Sequence, residues 1–107
     1  MSQIAVLIRH MAAYRNVAVS QHAAVRLRKR NILLADIVAG AAAGEVIEDY
    51  PTFHKGPALL MVERDGTGAP LHVVWGIETG TLEPAVIVTA YHPDPSQWSQ
   101  DFKVRKP

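Results

Sequence analysis

The sequence predicts an α+β domain, with N-terminal helices packed on one face of a four-stranded antiparallel β-sheet. Three observations predict it. Apolar residues recur at helical spacing as far as Gly44. From Glu45 onward the apolar period changes to two. The later apolar runs are separated by turn-forming stretches, Pro51, Asp65-Gly66-Thr67-Gly68 and Thr79-Gly80-Thr81. A chain of 107 residues is expected to be a single domain with one core.

The elements follow in order. In residues 3–14, Ile4, Leu7, Ile8 and Met11 fit a helix, although Ile4 to Ile8 also suits a strand; we read it as a helix. Asn16 to Val19 is β-branched and serves as an extended lead-in. Ser20 is placed to cap a helix by accepting from an orphan backbone N–H. Ala23, Ala24 and Leu27 face its core side, and Asn31 suits the left-handed residue that ends it. In the next helix Leu34, Ile37, Val38 and Ala41 share a face, Gly40 weakens it and Gly44 stops it. That helix lacks a polar cap, because Leu33 and Leu34 stand where Ser or Asp would be expected. Four strands follow: Glu45 to Tyr50, Ala58 to Arg64, Leu71 to Ile77 and Ala85 to Tyr91. Their tight connections argue for an antiparallel meander. Ser96 to Phe102 is expected to make one helical turn that packs Trp98 and Phe102 back on the body, and Lys103 to Pro107 to fray.

Composition narrows the chemistry. The absence of cysteine removes disulfides, thiolate metal sites and cysteine nucleophiles, and fits a reducing cytoplasm. No apolar run is long enough to span a bilayer, and Ile4 to Ile8 makes a poor signal peptide, so no membrane partner is expected. The five histidines show no H-x-H or H-E-x-x-H spacing, so we expect neither metal nor other cofactor. No phosphate-binding glycine loop precedes a helix, and no G-x-S-x-G is present. Net charge is +1, but it is segregated. Residues 1–35 hold six basic residues and no acid, whereas residues 36–107 hold five basic and ten acidic ones. The front half can therefore attract a polyanion, if it is not merely a solvated helix face.

Ser20 to Arg30 is the stretch richest in chemistry. On a helix, His22, Arg26 and Arg30 stack at four-residue steps, a titratable imidazole beside two guanidinium forks. Arg28 and Lys29 add charge in the same last turn. Arg26 and Arg30 could clamp a phosphate, or instead pair with Glu48 or Asp49; for Arg30 the structural role is favoured. His72 interrupts an apolar strand. Alternation turns it away from Leu71, Val73 and Trp75, towards a cleft or the solvated sheet face. Thr89 and Tyr91 share a face with Ile87, and a hairpin register pairing His72 with Tyr91 would put His72, Thr89 and Tyr91 on one surface.

Four segments together carry a resemblance: Ser20-Gln21-His22-Ala23 with Arg26 and Arg30; Gly44 to Pro51; Pro70-Leu71-His72-Val73-Val74; and Thr89 to Pro95 with Trp98. In this order and spacing they resemble a small bacterial family, domain of unknown function 4258, over a core of residues 17–102, with residues 1–16 as an extension. That family has been grouped with the RelE-like and barnase–EndoU–colicin types of ribonuclease toxin. The resemblance implies helices on an antiparallel sheet and an RNA-cleaving site at His22, Arg26, His72, Thr89 and Tyr91. It also makes a cognate antitoxin or other protein partner an expectation.

Two functions follow as expectations. One is a metal-independent endoribonuclease of toxin type, in which His22 and His72 share acid–base work on a ribose 2′-OH and a leaving 5′ oxygen. Arg26, with Thr89 or Tyr91, would stabilise the phosphoryl charge. The other is a non-catalytic RNA- or protein-binding module using the basic face of Arg26, Arg28, Lys29 and Arg30.

Overall fold

A computed structural model describes residues 3–107, and its sheet has one strand more than the sequence predicts. The elements are α1 (Gln3–Ala13), β1 (Val17–Val19), α2 (Gln21–Lys29), α3 (Leu34–Gly40), β2 (Glu45–Tyr50), β3 (Ala58–Arg64), β4 (Pro70–Gly76) and β5 (Ala85–Tyr91). The sheet order is β1-β5-β4-β3-β2. Strands β2 to β5 form the expected antiparallel meander. The lead-in is not a mere connector: Val17 to Val19 run parallel to Ala85 to Ile87 and make the sheet mixed. The four-stranded antiparallel expectation is corrected accordingly. The β-branched lead-in satisfies an edge of β5 that would otherwise present bare amides and carbonyls.

Local signals set the helix ends. The Ser20 hydroxyl accepts from the Ala23 N–H at 3.1 Å, and α2 starts there. Asn31 takes φ 57° just past its end, a conformation that asparagine tolerates better than most residues. At α3, Leu33 makes no side-chain cap, as its sequence implies. Gly40 and Gly44 lie against β3: a Cβ on Gly40 would stand 2.6 Å from Glu63 Oε1, and one on Gly44 2.3 Å from Met61 Sδ. Glycine here lets α3 approach the sheet, which accounts for two residues that weaken a helix by sequence rules alone.

The helices cover one sheet face. Helix α1 packs on β4 and β5, α2 on β5, and α3 on β3 and α1. Ile8 and Ile37 from the helices meet Leu59, Met61, Leu71, Val73, Trp75 and Ile87, all fully enclosed. Each such large apolar side chain contributes roughly 1.5–3 kcal/mol by leaving water. Alternation works on β4 as predicted, with Leu71, Val73 and Trp75 inward and His72 on the outer face.

The C-terminal segment differs from expectation. A turn brings the Gln97 N–H to the Asp94 carbonyl, but no helix forms. Trp98 instead pairs with Arg105 in an isolated antiparallel bridge, and the Lys106 N–H donates to the Gln97 carbonyl. Lys103 to Pro107 therefore does not simply fray: it folds back as a small strap over the outer face.

Candidate functional site

Two places carry the residues singled out by sequence: the outward side of α2, and the outer face of the sheet beneath the strap.

On α2, His22, Arg26, Arg28 and Lys29 are exposed. Among the described residues, the side chains of Arg26, Arg28 and Lys29 make no ion pair and no hydrogen bond. Of the two carboxylates expected to pair with Arg26 or Arg30, Glu48 is engaged elsewhere and Asp49 pairs with neither. Glu48 is taken by Arg105, whose Nε and Nη2 donate to its two oxygens at 2.8 and 3.1 Å. Arg30 behaves differently from its neighbours. Its Nη1 donates to the Ala90 carbonyl at 2.7 Å and to Thr89 Oγ1 at 3.3 Å, fastening the end of α2 to β5. Arg30 and Thr89 are thus joined, in a structural contact.

On the outer face, the β4–β5 hairpin adopts the register that pairs His72 with Tyr91 and Val74 with Thr89. A bulge between Val74 and Trp75 then moves Ile87 opposite Trp75, on the helix side. The expected sharing of a face by Ile87, Thr89 and Tyr91 is corrected for that reason: the extra residue resets the alternation.

His72 is fully buried and both its ring nitrogens are occupied. Nε2 lies 2.8 Å from the Phe102 carbonyl oxygen, and Nδ1 lies 3.3 Å from the Tyr91 hydroxyl. A carbonyl can only accept, so Nε2 carries the hydrogen and Nδ1 accepts from Tyr91. The Trp98 ring meets the imidazole edge-on at 4.3 Å, and the Arg105 guanidinium sits 4.6 Å over the Trp98 ring. Burial pulls the His72 pKa below the ordinary histidine value, against the opposing pull of the Phe102 carbonyl. Burial raises Tyr91. The Arg105 hydrogen bonds hold Glu48 below the usual carboxylate range. Tyr50, which donates to Glu48, is pushed up to about 12, chiefly by burial.

The structure therefore brings together His72 and Tyr91, and separately Arg30 and Thr89. His22 lies at the start of α2, eight residues before Arg30 and so ~12 Å along the axis from it. No hydrogen bond or ring contact links His22 or Arg26 to His72. His72 faces away from the core, as alternation implies, but onto the strap rather than into an open cleft. Of the remaining histidines, His54 borders an open pocket over Gly76, Val86 and Val88, and His92 lies 3.3 Å from the Pro70 carbonyl. Among the described residues no group of three His, Cys, Asp or Glu side chains is placed to hold a metal.

One buried titratable group escaped the sequence reading. Glu63 is 2 % exposed on the helix side of β3. Trp75 Nε1 donates to its Oε2 at 2.9 Å, while Oε1 has no hydrogen-bond partner. Burial raises its pKa to about 8. Alternation from Leu59 through Met61 was the available signal, masked by the charged Arg64 beside it.

Comparison with known families matches residues 19–92 to the family described as Domain of unknown function (DUF4258), a description that names no activity. No solved structure matches the chain. Among the described residues no helix is long and apolar enough to cross a membrane.

Proposed function

Because the chain belongs to the DUF4258 family, and the matched stretch contains all of α2, we propose that the domain binds single-stranded RNA through the outward side of that helix. One observation carries the reading: Arg26, Arg28 and Lys29 stand exposed in one helical turn with no carboxylate engaged. Cations that fold without a partner keep their charge for an external anion, and guanidinium forks match phosphate oxygens. Arg30 fixes the helix to the sheet, so the charged turn is presented on a rigid support. His22, exposed on the same helix, adds a donor at its other end.

The fully enclosed His72 supports binding rather than cleavage, since a general acid or base must reach its substrate. The test is titration of labelled single-stranded RNA at several salt concentrations in EDTA, followed by analysis of RNA ends. Each phosphate contact contributes about −0.7 to the slope of log K against log salt. A triple Arg26→Gln, Arg28→Gln, Lys29→Gln variant should lower the slope magnitude by about 2 and the affinity by at least about tenfold. Unchanged RNA affinity in that variant would remove α2 as the contact surface. Cleavage to 2′,3′-cyclic phosphate ends, lost in a His22→Ala, His72→Ala double variant, would replace binding by catalysis.

A further inference from the structure

The strap has the properties of a ligand held by its own chain. It begins beyond residue 92, where the family match ends, yet it covers side chains of the matched core. Its backbone-to-backbone hydrogen bonds stay within the segment: Ser99 N–H to the Val104 carbonyl, Phe102 N–H to the Ser99 carbonyl, and Lys106 N–H to the Gln97 carbonyl. It adds no ladder to the sheet. It is held instead by groups that any suitable polypeptide could present.

Each of those groups meets a complementary one. The Arg105 guanidinium takes both oxygens of Glu48, and Lys103 Nζ lies 3.2 Å from Glu45 Oε2. The Phe102 carbonyl accepts from His72, with Phe102 itself at φ 62°, a left-handed conformation unfavourable for an aromatic residue. Trp98 is seated against the His72 ring and is 4 % exposed. Beneath the strap lies a face of Glu45, Glu48, Tyr50, His72 and Tyr91. Its carboxylates are unsuited to a nucleic-acid backbone and suited to a cation.

We propose that this face is a docking site for a basic, aromatic-bearing segment of a partner polypeptide, and that residues 97–106 occupy it in cis. The charged grip on Glu45 and Glu48 gives the site its preference for a basic segment. The His72 N–H fixes the main chain of the occupant, and the imidazole edge receives its aromatic ring. A partner binds by displacing the strap, so affinity depends on how firmly the strap is held.

The experiment uses the full chain and a fluorescent synthetic peptide of its own residues 95–107. In a Trp98→Ala, Arg105→Ala double variant the strap loses its ring and its guanidinium. That variant should bind the peptide at least about tenfold more tightly than the wild type, whose site is filled. Adding Glu48→Gln should abolish the gain. The His72 ring resonances should move on unhooking and return when peptide is added. RNA affinity through α2 provides the independent control, because no hydrogen bond or ion pair joins α2 to the strap among the described residues, and it should stay unchanged. If the double variant does not fold, Arg105→Glu sets a carboxylate against Glu48 while leaving Trp98 in place, and the same gain is expected. A folded unhooked chain that takes no peptide overturns the proposal, as does equal binding by the wild type. RNA affinity that rises on unhooking overturns it too, by assigning the uncovered face to nucleic acid.

Discussion

The outward side of α2 and the outer face of the sheet each carry one histidine, and the two end in opposite states. On α2, Arg26, Arg28 and Lys29 fold without partners and His22 stands in water. Under the strap, His72, Tyr91, Glu48 and Tyr50 are each hydrogen-bonded, and His72 has no solvent access. The two differ in charge, one cationic and one carboxylate-bearing, and also in cover. A helix surface one layer from the core leaves long cations free. A sheet face with a segment folded across it turns its polar groups into internal contacts. An imidazole on each side was the attraction of the cleavage reading, and the unequal cover separates them.

The contrast can be tested from the inside outward. The largest effect is expected at Glu63, beneath α3. Its folded pKa is raised to about 8, so its proton is bound more tightly in the folded chain than in the unfolded one. Stability is then greatest below the ordinary carboxylate pKa and falls as pH rises through that value towards about 8. The loss should reach on the order of a few kcal/mol. Urea denaturation from pH 4 to 9, expected to be flattened by Glu63→Gln, checks it (roughly the window that the linkage relation sets). Trp98→Ala comes next. It removes the buried ring that seats the strap, and should cost about 3 kcal/mol by comparison with other buried aromatic truncations. Limited proteolysis should then cut within residues 97–106 while leaving the sheet intact.

A smaller effect is expected at His72. Its folded pKa is depressed, so its contribution is complete above the ordinary histidine pKa and is lost as pH falls through and below it. The groups facing it are Tyr91 on β5, Glu48 and Tyr50 on β2, and Arg105 on the strap. The protection factors of the strap amides, taken relative to intrinsic exchange at each pH, should fall towards acid pH, and His72→Gln should blunt that response. The smallest effect is expected from Arg105→Gln. The ion pair with Glu48 is largely solvated on the arginine side, and its loss should change global stability by about 1 kcal/mol or less. A much larger loss would mean that the strap is part of the folding unit and not an accessory to it.

These comparisons also explain what could be read beforehand. Ser20, Asn31 and the Asp65 to Gly68 turn act within a few residues, and each does what its chemistry requires. The inward set of β4 follows from alternation alone. The parallel pairing of Val17 to Val19 with Ala85 to Ile87 joins segments far apart in sequence, and three β-branched or small residues do not name their partner. The bulge opposite Val74 depends on how two strands accommodate Trp75, which one strand does not encode. At the site, the side chains were legible, whereas the His72–Tyr91 pairing was one of the registers that the sequence left open. That Trp98 packs the tail back was also expected, but not that Lys103 to Lys106 complete the cover, because that segment folds through a single bridge and side-chain contacts, which carry no periodicity.

The edge strand β1 has a practical consequence for anyone isolating the family-matched stretch. Cutting at residue 19 removes Val17 and Ala18 together with Ile8 and Met11 of α1, so β5 becomes a bare border and the core under α1 opens. Exposed borders of that kind recruit other chains. A clone trimmed to the family boundaries should therefore be recovered as aggregates, and what the matched region can do is better asked of the chain that includes its flanks.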